Sequence, residues 1–203
     1  TALLIKTLRK AGYDVGYYKA AISGAPTVAE SDAGFVNRFA QIREPEDMLL
    51  SYLYQNAVSP HLAARIEGNP VEKDVIMSAW ERVTAAYPYV TMEGSGGIMC
   101  PIRHDEKAVY YLEDIIRWLR LPVLVVADAG LGTINRVVTT CEYIRRRNIS
   151  VKGIILNHWK GGVMEEDNAE MIEEITGGKV LARVKRGDTE LDIDPKMVIS
   201  LYE

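Results

Sequence analysis

Apolar residues along this chain follow two periodicities that alternate and together predict alternating strands and helices. Short runs rich in β-branched and aromatic residues predict strands at 15–19, 89–93, 122–128, 151–157 and 179–184. Between them, helical spacing predicts helices at 1–11, 31–39, 71–87, 109–119, 136–147, 165–176 and 195–202. The run 122–128 is apolar on both faces and is expected to be the most buried strand. The alternation implies an α/β fold, a doubly wound, mostly parallel sheet flanked by helices.

Polar or glycine-rich groups stand where four predicted strands end. They are Lys19, Glu93, Asp128 with Ala129-Gly130, and Asn157. The segment 20–25 after Lys19 is predicted to be a loop, and 101–106 a polar excursion. Ligands of open α/β sheets bind outside the carboxyl ends of the strands, so we expect these groups to line one site.

The stretch from Glu93 into Gly94-Ser95-Gly96-Gly97 combines one acid with a turn whose backbone N–H groups can approach an anion. This combination indicates Mg²⁺ with a nucleotide, because Mg²⁺ takes one or two carboxylates and lets phosphates complete its shell. The alternative is a solvated glutamate at a tight turn. For Lys19 the alternative is a solvated lysine leaving an edge strand. Either Ser31 or Asp32 can cap the helix that follows them.

A second anion-binding opportunity lies where glycines and Thr133 precede the helix 136–147. The N-terminus of a helix carries unpaired N–H groups and a partial positive charge. The basic residues that close this helix complement its dipole, so no nucleic-acid role is assigned to them.

Composition narrows the class of protein. The chain has 203 residues, 48% of them hydrophobic, and a formal net charge of −4, which gives no support for a nucleic-acid surface. Cys100 and Cys141 lack metal-ligand spacing, and a reduced, cytoplasmic setting fits them best. No apolar run is long enough to span a bilayer. A single domain over 1–203, with no membrane partner, is predicted.

An ordered set of motifs resembles those of the dethiobiotin synthetase family. Residues 17–24 are similar to its YKP-x-x-SG segment, with Ala20 where proline is common. Four further matches follow in the family's order: Ser31-Asp32-Ala33, Ser59-Pro60-His61, Glu93-Gly94-Ser95-Gly96-Gly97 and Leu131-Gly132-Thr133-Ile134-Asn135. Each motif alone is weakly specific, and the ordered set, which covers nearly the whole chain, is strongly specific.

The resemblance implies a P-loop fold, a homodimer, and an ATP- and Mg²⁺-dependent cyclo-ligase that makes dethiobiotin from 7,8-diaminopelargonic acid and CO₂. Asp32 and Glu93 would hold Mg²⁺, and Lys19 would be catalytic, between the substrate and the γ-phosphate. Nucleotide contacts are implied for Asp32, Glu93, Gly94, Ser95, Gly96, Asn157 and His158. Substrate contacts are implied for Ser23, Gly132, Thr133 and Asn135, the last three at a subunit interface.

Two departures from the family pattern qualify this expectation. The G-x-x-x-x-G-K-S/T phosphate loop is absent from the sequence, and the alignment places it just upstream of Thr1. We therefore expect the first strand and the loop to lie before residue 1. The segment 184–187 lacks the proline that relatives have where adenine packs, so the nucleotide preference is open, and either Glu190 or Asp192 is a candidate base or ribose contact.

Two other P-loop classes remain as alternatives. A cobyrinic-acid amide ligase needs a nucleophilic cysteine in an amidotransferase domain, and neither cysteine has such a context. A ParA-like ATPase needs a basic DNA-binding surface or a membrane-targeting helix, and the acidic chain has neither.

Overall fold

The computed structural model describes residues 1–202, which form two compact units, residues 1–119 and residues 120–202. Each unit is built around its own sheet. The single domain expected from the sequence stays a prediction. Within residues 1–202, every helix is too short or too polar to cross a bilayer.

The first unit contains a parallel three-stranded sheet in the order β2-β1-β3, with helices packed on it. Its elements are α1 (Ala2–Lys10), β1 (Val15–Ser23), α2 (Asp32–Phe39), α3 (Glu46–Leu49), β2 (Leu50–Tyr54), α4 (Pro60–Ile66), α5 (Lys73–Ala86), β3 (Tyr89–Glu93), β4 (Pro101–His104), β5 (Val109–Tyr111) and α6 (Leu112–Trp118). The central strand β1 is almost wholly buried.

Strand β1 is longer than the sequence pattern indicated, so the prediction of a loop at 20–25 is wrong over most of its length. The small apolar residues after Lys19 pair with β2, in a register that runs from Lys19 opposite Leu50 to Ser23 opposite Tyr54. Lys19 therefore lies inside the strand. Its other neighbour is Glu93, the last residue of β3, so Lys19 still stands at the carboxyl end of the β1–β3 ladder.

Strand β3 and the segment after it complete the first unit. Strand β3 is half-buried at every position and is one of the two edge strands of this sheet in the described chain. The predicted polar excursion and the start of the helix 109–119 form an antiparallel hairpin, β4–β5. Buried Arg103 stabilises this hairpin region through ion pairs to Glu72 at 2.6 Å and Asp105 at 2.7 Å.

The second unit contains another parallel sheet, in the order β6-β7-β8. Its elements are β6 (Val123–Asp128), α7 (Thr133–Arg145), β7 (Val151–Asn157), α8 (Val163–Thr176), β8 (Val180–Arg183), α9 (Pro195–Ile199) and a 3₁₀ turn (Ser200–Tyr202). The expectation that 122–128 is the most buried strand is wrong. Strand β6 is an edge strand whose Val126 is 57% exposed, whereas residues 153–156 of β7 are buried. Both three-stranded sheets are parallel and flanked by helices, which confirms the α/β class.

Glu44 supplies a hydrogen-bond acceptor to β1 at Tyr17, which lies before the residues of β1 that pair with β2. Its Oε2 accepts the Tyr17 N–H at 3.3 Å, and its Oε1 is buried with no hydrogen-bond partner in the described part of the chain. Burial raises the pKa of Glu44 to about 7, although the Tyr17 N–H and the charge of Arg9 oppose the increase. The folded protein therefore holds a proton on Glu44 that the unfolded chain releases near its ordinary pKa.

We expect Glu44→Gln to remove a pH dependence of stability. Between the unfolded pKa near 4.5 and the folded pKa near 7, the folded state binds more protons, so wild-type stability falls as pH rises through this window. The loss is about 3 kcal/mol, and glutamine has no proton to lose. Urea unfolding at pH 5 and pH 8 should show the variant more stable than wild type only at pH 8. Equal pH slopes for the two proteins would contradict the assignment.

Candidate functional site

The centre of the first unit's candidate site is the amine of Lys19. Its Nζ lies 2.9 Å from Asp32 Oδ2 and 2.8 Å from Glu93 Oε1, and its side chain is 7% exposed. Burial lowers the pKa of Lys19, but the charge of Glu93 and its hydrogen bond, followed by those of Asp32, outweigh burial and raise the pKa above its ordinary value. Lys19 is thus a fixed cation between two carboxylates.

The local structure of α2 leaves Asp32 available to Lys19. Ser31 is the N-cap, because its Oγ accepts the Gly34 N–H at 3.3 Å. Asp32 is the first residue of the helix, and its side chain is 70% exposed. Of the two capping candidates, the serine caps the helix and the aspartate contacts the lysine.

The glycine turn after β3 is fixed to the sheet and to its own neighbours. Ser95 is buried, and its hydroxyl donates a short hydrogen bond to the Ala21 carbonyl of β1. A Cβ on Gly94 would lie 2.8 Å from Leu112, and Gly96 has a φ of +84°. The left-handed conformation therefore favours glycine at position 96, and a Cβ at position 94 would require the Leu112 side chain to move. The Ser95 proton is engaged by backbone.

Ser23 ends β1, and its hydroxyl donates to the Val58 carbonyl at 2.6 Å. Its proton is therefore also engaged by backbone. What the hydroxyl still offers a ligand is acceptor capacity, since a hydroxyl oxygen carries two lone pairs.

Tyr17 lies on the same strand as Lys19, two residues before it, and is not among the predicted site residues. It is fully buried, and within residues 1–202 its hydroxyl has no hydrogen-bond partner. Burial, followed by the charges of Glu93 and Asp32, raises its pKa above the ordinary value. The Tyr17 hydroxyl is thus a hydrogen-bond donor near two carboxylates, and it can donate to an oxygen atom of a bound ligand. Alternation along β1 places residues 17 and 19 on one face, and that pattern could have identified it.

The residues present fit a Mg²⁺ ion that is only partly held by protein. Across residues 1–202 there is no cluster of three or more histidine, cysteine or acidic side chains suited to a metal. Lys19 engages one oxygen of each carboxylate, Asp32 and Glu93, and a carboxylate has two. Two carboxylates with spare oxygens suit Mg²⁺, which keeps waters and substrate phosphates in its shell.

The start of α7 carries the second unit's anion-binding features. Gly132 has a φ of +84° and precedes the helix, whose first turn has no side-chain cap. Thr133 is fully buried, and no described group hydrogen-bonds to its Oγ1. Asn135 is exposed in the first turn of the helix. A buried hydroxyl at the N-terminus of a helix is a donor suited to a carboxylate.

Strands β6 and β7 end side by side in this unit, with Asp128 opposite Asn157. The Asn157 carbonyl accepts the Ala129 N–H at 2.8 Å. His158 Nδ1 lies 2.9 Å from Asp128 Oδ2, a contact that no motif of the sequence predicts. The predicted site residues thus fall into two groups, one in each unit, and a common site for both groups stays a prediction.

The AAA domain family model matches residues 1–189. Together with this match, the parallel sheets with polar groups at their strand ends place the chain in the P-loop fold class. A chain of the MinC:MinD cell division protein complex of Aquifex aeolicus superposes with a TM-score of 0.53 at 13% identity, covering 91% of this chain and 74% of that one. A ParA family ATPase from Chlorobium tepidum gives a TM-score of 0.50 at 13% identity, covering 99% and 84%. At this identity the likeness concerns the fold alone.

Sequence similarity identifies the family far more specifically than the fold does. An ATP-dependent dethiobiotin synthetase BioD of Brachyspira hyodysenteriae is 46% identical, and the match covers all of this chain and 91% of the relative. Relatives from Clostridium species carry the same name. The chain belongs to the ATP-dependent dethiobiotin synthetase family, which confirms the resemblance found in its motifs.

Proposed function

We propose that this protein closes the ureido ring of dethiobiotin in an ATP-dependent reaction. One amine of 7,8-diaminopelargonic acid takes up CO₂ as a carbamate. The γ-phosphoryl group of ATP passes to a carbamate oxygen and gives a carbamic–phosphoric anhydride and ADP. The second amine then attacks the carbonyl carbon and expels phosphate. The observation that carries this proposal is the contact of buried Lys19 with both Asp32 and Glu93, in a chain of this family.

Lys19 would act electrostatically in this reaction. Phosphoryl transfer depends on positioning and charge neutralisation more than on covalent chemistry. A buried ammonium held by two hydrogen bonds stays protonated and loses little freedom when a phosphoryl group arrives. Lys19 would therefore offset the negative charge that moves from ATP to the carbamate.

Asp32 and Glu93 would hold Mg²⁺, which neutralises phosphate charge when bound. Gly94, Ser95 and Gly96 would line the phosphates with backbone N–H groups, and the engaged hydroxyl of Ser95 would keep that turn in place. Ser23 would accept from an amine of the substrate. These assignments rest on the family's motifs and on the geometry of the first unit.

In the second unit, Asn157 and His158 would contact the adenine base. Gly132, Thr133 and Asn135 would bind the substrate carboxylate. In support, the buried Thr133 hydroxyl has no hydrogen-bond partner among residues 1–202. A homodimer with this substrate site at its interface and a cytoplasmic location remain predictions from the family.

Product formation tests the proposal directly. Purified protein with the full natural chain, 7,8-diaminopelargonic acid, bicarbonate, ATP and Mg²⁺ should yield dethiobiotin and ADP in equal amounts. Omission of each component in turn is the control. ATP hydrolysis without dethiobiotin would contradict the cyclo-ligase.

We expect Asp32→Asn to lower the apparent affinity for Mg²⁺ more than it lowers the maximal rate. The exchange removes the charge of a carboxylate that is 70% exposed and leaves the Ser31 cap intact, so the fold should be unchanged. The Mg²⁺ concentration for half-maximal activity should rise about tenfold or more, whereas Asp14→Asn, whose ion pair to Arg9 is on the surface, should leave it unchanged. An unaltered Mg²⁺ titration would show that Asp32 is not a ligand.

A further inference from the structure

The carboxylate of Asp128 ties together two loops of the second unit. Its Oδ1 accepts the Gly130 N–H at 2.8 Å, and its Oδ2 contacts His158 Nδ1 at 2.9 Å. The His158 ring is thereby held next to Asn157, at the end of β7. Neither the motifs nor the proposed function assigns a role to Asp128.

This contact determines the hydrogen-bonding character of the His158 ring. The Gly130 N–H, followed by the hydrogen bond to His158, holds the pKa of Asp128 below its ordinary value, so this side chain is an ionised carboxylate and only accepts. A neutral His158 ring must therefore carry its proton on Nδ1. Its Nε2 is then an acceptor, on a side chain that is 61% exposed and open to a ligand.

We propose that the Asp128–His158 pair determines purine specificity, by presenting Nε2 as an acceptor to the amino group at position 6 of adenine. The inference rests on the proposed function, in which Asn157 and His158 contact the base. A purine with a carbonyl oxygen at position 6 would place one acceptor against another. Such a mismatch costs about tenfold in affinity, because both groups lose their hydrogen bonds to water.

The substitution Asp128→Asn reverses the polarity of the pair without changing its shape. The asparagine oxygen can still accept the Gly130 N–H, and its amide can donate to Nδ1 of His158. The ring then carries its proton on Nε2 and becomes a donor toward the base. Wild type should favour ATP over ITP about tenfold at pH 8, and Asp128→Asn should bring the ratio to one or below.

Two measurements, calorimetry and NMR, test the inference on the full-length protein. Dissociation constants for ATP and ITP are measured by calorimetry for wild type, Asp128→Asn, His158→Ala and the control Asp194→Asn, whose carboxylate caps α9. His158→Ala should give nearly equal affinities, and Asp194→Asn should keep the wild-type ratio. Nitrogen-15 NMR of the ring, in a chain with three histidines, should place the proton on Nδ1 in wild type and on Nε2 in Asp128→Asn.

The outcomes separate this inference from the function on which it rests. If wild type makes dethiobiotin with ATP but Asp128→Asn weakens ATP and ITP equally, the pair is merely structural and the inference is overturned. Equal affinity of wild type for the two nucleotides overturns it as well. A protein that binds neither nucleotide overturns both the inference and the proposed function.

Discussion

Replacement of Lys19 by glutamine is expected to lower the turnover number by two to three orders of magnitude while the protein stays folded. Lys19 is the buried cation that contacts both Asp32 and Glu93, and glutamine keeps much of its length but none of its charge. Removal of one preorganised group that stabilises transition-state charge costs about 100- to 1,000-fold in rate. Dethiobiotin formation at saturating ATP and Mg²⁺ measures the effect.

The same substitution lowers turnover but should not weaken Mg²⁺ binding. Because the Lys19 ammonium bonds the carboxylates proposed to hold Mg²⁺, its removal takes away a competing cation. The Mg²⁺ concentration for half-maximal activity should therefore stay the same or decrease. Lys6→Gln, which removes an amine lying over the Phe39 ring, is the matched control and should retain wild-type turnover. Near-normal turnover in Lys19→Gln would refute the electrostatic role.

The sequence was sufficient where one strand's pattern decides the structure. The run 151–157 becomes β7 with both ends as predicted, because its β-branched and apolar residues are buried in the middle of a sheet. The sequence was not sufficient where pairing with another strand decides the structure. Ala20 and Ala21 have little strand preference of their own, and their pairing with β2 extends β1 beyond Lys19.

The hairpin β4–β5 was missed for a similar reason. Arg103 in a polar stretch predicts a loop, yet it is 4% exposed because Glu72 and Asp105 neutralise its charge and the Val71 carbonyl accepts from it. The carboxylate from Glu72 comes from a distant part of the chain, and no local pattern reveals such a contact.

Site residues were predictable where their position at a strand end was enough to bring them together, and not where the contact depends on strand register. Lys19 and Glu93 were expected to meet because both stand at strand ends, and they do. The Asp128–His158 contact depends on strand register, which places the ends of β6 and β7 side by side. Periodicity predicts strands, and it does not predict which residues of two strands lie opposite one another.

Substitution of Gly34 by alanine is expected to destabilise the first unit by about 3 kcal/mol. Alanine in place of glycine within a helix ordinarily adds about 1 kcal/mol of stability. Here a Cβ would lie 2.5 Å from the Ala29 carbonyl oxygen and 2.8 Å from the Ala29 carbonyl carbon, and closer still to the Val28 carbonyl oxygen. These atoms are backbone and cannot rotate away, so overpacking outweighs the helix preference.

The clash should also reach the metal site, because Gly34 lies in the first turn of α2, two residues after Asp32. A helix start pushed away from residues 28 and 29 carries Asp32 away from Lys19, so the apparent affinity for Mg²⁺–ATP should fall along with stability. Gly97→Ala is the matched control, since within residues 1–202 no atom beyond its two chain neighbours lies within 4 Å of its Cβ position and its φ is not in the left-handed region. Urea unfolding should show a lower midpoint for Gly34→Ala and a change below about 0.5 kcal/mol for Gly97→Ala. A Gly34→Ala protein more stable than wild type would mean that helix preference wins and that the segment 27–30 yields without moving Asp32.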